Sequence, residues 1–173
     1  GSEMCIRDRY MGGGVLPVAI YKGKLYFLFS REYINSKDDG GLWSDFGGSK
    51  DNDETYFQTA LREGFEESDQ IIGTKNNIKN LMKNSLQEIT INGYRTYVVL
   101  IDYNKDLPKK FRNKFLYIKE NKPHLLCKKG LYEKDMIKWF TYNEIKKNFD
   151  KFRPFYKNIV CLLYTSPSPR DVS

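Results

Sequence analysis

Within the twelve residues REGFEESDQIIG, Arg62 to Gly73, the chain places Arg62 beside Glu63, then Glu66 and Glu67. At about 100° per residue a helix projects these three glutamates from one face, opposite or beside an apolar stripe. Like charges three and four apart repel by about a few tenths of a kcal/mol per pair. Such a cluster predicts a cation held between its members. Carboxylate oxygens are hard ligands, suited to Mg²⁺ or Mn²⁺ rather than zinc. Without the cation they are expected to raise one another's pKa as a coupled set. The plain alternative is a solvated acidic helix face.

The wider stretch GSKDNDETYFQTALREGFEES has the pattern G-x5-E-x7-R-E-x-x-E-E, running from Gly48 through Glu54 to Glu67. It resembles the signature of the Nudix (MutT-like) hydrolases. Gly47 and Gly48 in FGGSK let backbone approach closely and leave a carbonyl to face an ion. The resemblance implies that Glu63, Glu66 and Glu67 bind Mg²⁺ or Mn²⁺ with the Gly48 carbonyl, and that Glu54 pairs with Arg62. It further implies attack by an activated water on a phosphorus of an X–diphosphate–nucleoside. RNA decapping and inositol-pyrophosphate hydrolysis are the alternatives within the enzyme class. A non-catalytic Nudix-fold domain that senses a nucleotide is the alternative outside it. The chain departs from the family at Gly64, where a bulky apolar residue is usual, at Asp69 and Gln70, and at Phe46 in place of proline.

The general base is a box glutamate or a later acid, and of Glu133 and Asp135 in YEKDMIKW we favour Glu133. Arg31 is a candidate for a substrate phosphate. Trp43 is a candidate for stacking on a base, against the simpler reading as core. His124 receives no role, and Trp139 is read as core. The lysine-rich stretch 105–129 is read as an insertion between two strands: either a solvated surface or a basic flap over a polyanion. RNA stays open as a partner, with binding that weakens steeply as salt rises.

These residues need a scaffold. LPVAIYKGKLYFLF predicts a hairpin turning at Lys22-Gly23, and QEITINGYRTYVVL a second at Asn92-Gly93. From Asp51 the pattern turns helical, with Phe57, Ala60, Leu61 and Gly64 on one face, Asp51 and Glu54 as a capping box, and Gly73 as the stop. NNIKNLMKN is a short helix or turn, LPKKFRNKFLYIKE a basic amphipathic helix with Phe111, Phe115 and Ile118 inward, and MIKWF a strand. Thr141 with Glu144 caps a further helix, and Pro154 starts a last one with Phe155, Ile159 and Leu162 inward. Interleaved strands and helices predict an α/β fold, and the resemblance makes it a Nudix-type α/β/α sandwich with a mixed central sheet.

The length of 173 residues suits one domain with one core. Residues 11–164 are assigned to it. Residues 1–10 read as a tag scar followed by MCIRDR, and 165–173 as a tail; both resemble translated sequencing-adaptor sequence. The net charge of +7, carried mostly by lysine, predicts an anionic, nucleotide-like partner. Cys5, Cys127 and Cys161 lack paired or metal-ligand spacing, which predicts a reduced, cytoplasmic setting. No apolar run approaches the ~20 residues of a membrane span, and no secretory signal is expected at the start. A monomer or homodimer is expected.

Overall fold

The computed structural model describes residues 11–127 and 131–165. The readings for residues 1–10 and 166–173, Cys5 included, lie outside the described residues. Seven strands form one sheet: β1 (Gly12–Tyr21), β2 (Lys24–Glu32), β3 (Trp43–Ser44), β4 (Phe46–Ser49), β5 (Gln87–Ile91), β6 (Tyr94–Leu100) and β7 (Lys134–Phe140). The helices are α1 (Tyr56–Ser68), α2 (Lys75–Lys83), α3 (Leu107–Asn121), α4 (Tyr142–Lys147) and α5 (Lys157–Thr165).

Both expected hairpins form. Lys22 and Gly23 have φ 50° and 77°, and Asn92 and Gly93 have 50° and 85°, the paired left-handed residues that match strand twist. β1 runs parallel to β6 and antiparallel to β2, and β2 is antiparallel to β7. The mixed sheet is therefore as expected. Two strands start earlier than their apolar runs. β1 begins at Gly12 because Gly12–Val15 pair with Phe46–Ser49 of β4, glycine against glycine. β7 begins at Lys134 because two buried charges, Lys134 and Asp135, find partners there.

Alternation along the strands sorts the core onto two faces. On one, Leu16, Val18, Phe27, Phe29, Phe140 and Tyr156 pack together under α4 and α5. On the other, Val15 meets Ala60, Ile78 and Tyr97 under α1 and α2, while Ala19, Leu28 and Trp139 meet Phe111 of α3. The result is an α/β/α sandwich. Trp139 is core as expected, its Nε1 donating to the Asn104 carbonyl at 2.9 Å.

α3 corrects the flap reading of 105–129. Leu107, Phe111, Phe115 and Ile118 are all buried on it, each worth about 2 kcal/mol of burial. The helix is thus a layer of the sandwich with its lysines outward. The last helix also differs. Pro154–Tyr156 form a 3-10 turn before α5, and the tighter turn shifts the inward set to Tyr156, Ile159, Val160 and Leu163. Phe155 and Leu162 are only half-buried. Among the described residues no helix is long and apolar enough to cross a membrane.

Candidate active site

α1 does not start on Asp51. Thr55 is its N-cap: Gln58 N–H donates to Thr55 Oγ1, and Gln58 Oε1 accepts from Thr55 N–H. Of the expected Asp51–Glu54 box one half forms, Asp51 N–H donating to Glu54 Oε1 at 2.9 Å, but it lies in the loop ahead of the helix rather than at its cap. The two Glu54 oxygens also accept from Arg62 Nε and Nη2, both at 2.9 Å, and from Thr59 Oγ1 at 3.0 Å. Arg62 also donates to the Ser49 carbonyl at 3.0 Å and to Glu63 Oε1 at 2.7 Å. The guanidinium thus ties β4 to α1, and Glu54 and Arg62 do pair. Arg62 holds the Glu54 carboxyl down at about 2. Glu54→Gln should cost about 1–2 kcal/mol at neutral pH, read as a lower urea midpoint with an unchanged slope.

Gly73 is not the stop either. α1 ends at Ser68, and Asp69 and Gln70 take φ 51° and 65°. Asp69 accepts this left-handed geometry while its Oδ1 meets Lys114 Nζ of α3 at 2.9 Å. Gly64 has a reason of its own: a Cβ there would sit 2.9 Å from Val15 Cγ2, so α1 lies directly on β1.

The three glutamates share one side of α1. Glu63 is 8% exposed and Glu67 5%, with Glu66 half-buried. Burial pushes Glu63 up to about 7 against the pull of Arg62, with Glu66 and Glu133 adding to the rise. Glu66 is raised by burial and by Glu133. Glu67 is raised well above its ordinary range by burial, and further by a hydrogen bond its protonated carboxyl donates to Glu133 and by that residue's charge, against the pull of Lys134. Its Oε2 is buried without a hydrogen-bond partner. A Cβ on Gly48 would run into the Glu63 carboxylate, so this glycine makes the room in which Glu63 lies. The Gly48 carbonyl, expected as an ion ligand, instead faces β1, where a side chain on Gly12 would strike it.

Among the described residues no three acidic, His or Cys side chains are already drawn around one point. Arg62 Nη1 stands between Glu63, at 2.7 Å, and Glu66, at 3.7 Å. The donor set nonetheless fits a divalent ion. It offers hard oxygens, an unpartnered buried Oε2, and carboxyls that resist ionisation until a cation joins them.

Glu63 and Glu66 open on a cleft of about 700 Å³ together with Arg62, Gly47, Gly48 and Glu133. Glu133, which is exposed, lines the same cleft and is hydrogen-bonded to Glu67. Glu67 faces a cavity of about 40 Å³ beside Lys134 and Tyr132. Two weaker candidates are corrected. Arg31 is bound to the buried Asp135, Nε to Oδ1 at 2.8 Å and Nη2 to Oδ2 at 3.1 Å, and does not line the cleft. That pair also removes Asp135 as a base. Trp43 is 8% exposed in the core, edge-on to Phe140 at 5.1 Å, and does not line the cleft. The cleft instead holds Tyr33, Tyr132 and Arg153. Arg153 donates to Glu32 Oε1 at 2.6 Å and Asp39 Oδ2 at 3.1 Å. No local sequence signal marks these three.

In sequence, no family model and no curated protein matches the chain. In structure, the Ap4A hydrolase of C. elegans in a binary complex matches 89% of this chain and 93% of its own, with a TM-score of 0.53 at 16% identity. The chain has the Nudix fold. A Nudix hydrolase from M. Smegmatis covers 93% of this chain and 90% of its own at 16% identity and a TM-score of 0.48. Within the Nudix fold, the departures at Gly64 and Asp69 answer to local contacts, with Val15 and Lys114, and neither displaces a box glutamate.

Proposed function

We propose that the chain is a Nudix pyrophosphohydrolase that cleaves a diphosphate linkage in an X–diphosphate–nucleoside with Mg²⁺ or Mn²⁺. One observation carries this reading. In a chain of net charge +7, the cleft is lined by six acids (Glu32, Asp38, Asp51, Glu63, Glu66, Glu133) against two arginines, Arg62 and Arg153. An anionic substrate can settle there only with cations. Glu63, Glu66 and Glu67 would hold them. Bound divalent ions lower the pKa of a water and neutralise charge on phosphoryl oxygens.

The protein's own groups do the rest. Arg62 fixes Glu63 against β4 through Ser49 and Glu54. Glu133, which lines the cleft with Glu63 and Glu66, would take the proton as the water oxygen bonds to phosphorus. The bridging P–O bond breaks, leaving a nucleoside phosphate and X-phosphate. Tyr33 and Tyr132, which line the cleft, are the rings near enough to meet a base.

A panel of diphosphate compounds tests the proposal: sugar and nucleoside diphosphate derivatives, capped RNA, inositol pyrophosphates and, following the C. elegans relative, Ap4A. At least one should release phosphate products with Mg²⁺ or Mn²⁺, and EDTA should abolish the release. Glu133→Gln should lower kcat by about 10²–10⁴-fold. Silence across the panel with tight nucleotide binding would instead identify a sensor.

A further inference from the structure

Behind the glycine pair lies a buried polar knot that the proposed chemistry does not use. Asp45 is wholly buried on the face of the sheet away from α1. Tyr94 Oη of β6 donates to its Oδ1 at 2.6 Å, and Thr96 Oγ1 to its Oδ2 at 2.8 Å. Tyr156 Oη, next to α5, lies 3.3 Å from Thr96 Oγ1. A carboxyl in an apolar core is costly unless it returns something. The glycines show what it returns. A Cβ on Gly47 would coincide with Tyr94 Oη, and one on Gly14 would lie 2.5 Å from Asp45 Oδ2 and 2.6 Å from Tyr94 Oη. The Tyr94 hydroxyl therefore rests on the Gly47 backbone, and the next residue, Gly48, is the wall against which Glu63 lies.

We propose that Asp45 and Tyr94 are positioning residues: the Tyr94 hydroxyl, anchored by Asp45, braces Gly47–Gly48 and so sets where the Glu63 carboxylate stands. Neither touches substrate. The knot spans β4, β6 and the turn before α5, so the brace joins one helical layer to the site beneath the other. The second half of the proposal rests on reading Glu63 as an ion ligand. The first half, the brace itself, does not.

Two readouts separate them. By hydrogen exchange, Tyr94→Phe and Asp45→Val should speed exchange in residues 46–49 about tenfold or more relative to α3 (Leu107–Asn121), which packs on the other face of the sheet. By Mn²⁺ titration, both should weaken ion binding about tenfold, as loss of an outer support of a metal ligand does, and lower kcat with KM little changed. Asp45→Asn keeps an acceptor for Tyr94 Oη and should recover most of the loss seen in Asp45→Val. Exchange at 46–49 rising no more than at 107–121 overturns the brace. Faster exchange at 46–49 with unchanged Mn²⁺ affinity overturns the second half, since the knot would then hold the glycine pair without setting the Glu63 carboxylate. A wild-type chain that binds no Mn²⁺ sinks the functional reading, and exchange alone then decides the brace.

Discussion

Glu67→Gln raises the melting temperature of the ion-free protein by about 5 °C near pH 8 while lowering kcat about a thousandfold. Both follow from where Glu67 sits. It is 5% exposed, one of its oxygens has no partner, and the hydrogen-bonded, like-charged Glu133 faces it. An ionised carboxylate there costs the fold free energy. An amide removes the charge and can donate to Glu133, a gain of about 1–2 kcal/mol. The same change removes an ion ligand. Sign fixes the pH at which the effect shows. Because the folded state raises this carboxyl well above its ordinary 4.5, the difference between variant and wild type should shrink as pH falls toward and below that ordinary value. Calorimetry in EDTA at two pH values, with steady-state kinetics, checks all three statements. A variant that is inactive and less stable at every pH would mark Glu67 as a structural residue.

The second large effect is the inversion of pH dependence by a divalent ion. Glu63 rises from 4.5 to about 7 on folding, and Asp45 from 3.8 to about 6. Acids raised in the folded state contribute stability that is full below their unfolded values and lost as pH climbs through the folded ones. The ion-free protein should thus be most stable near about pH 5 and lose about 3 kcal/mol, or about 10 °C, by about pH 8. Glu54 acts in the opposite sense but only in acid, its contribution fading as pH falls from 4.5 toward about 2. Ion ligands must be ionised, so Mn²⁺ binds with proton release and more tightly as pH rises. Saturating Mn²⁺ should raise the melting temperature little near pH 5 and most near pH 8. Differential scanning calorimetry across that range reads the crossing. Parallel curves with and without Mn²⁺ would contradict it.

The features legible in the sequence are those whose signal is local. Asn92-Gly93 and Lys22-Gly23 carry their turn geometry in two residues. The box glutamates carry theirs within one helix, and Thr141 with Glu144 caps α4 as read. What was hidden depends on partners far along the chain. Gly12–Gly14 offers no side-chain pattern, yet becomes strand because β4 lies across it. Lys134 and Asp135 look like loop until Glu32 and Arg31 neutralise them. Asp51 is not the cap because Thr55, four residues on, exchanges a complete capping box with Gln58, while Glu54 accepts from Asp51 and, eight residues along, from Arg62. The far wall of the cleft, Tyr33, Tyr132 and Arg153, is assembled from three separate stretches, so no single window of sequence contains it.

Three α1 carboxylates closing on a divalent ion are the centre of the proposed chemistry. A crystal grown with Mn²⁺, mapped by its anomalous signal, asks the question directly. The expected map has a peak with Glu63, Glu66 and Glu67 oxygens about 2.1 Å away, and Arg62 Nη1 withdrawn from between Glu63 and Glu66 while its bonds to Glu54 persist. A map with no peak there, and Arg62 still bound to Glu63 at 2.7 Å, would contradict it.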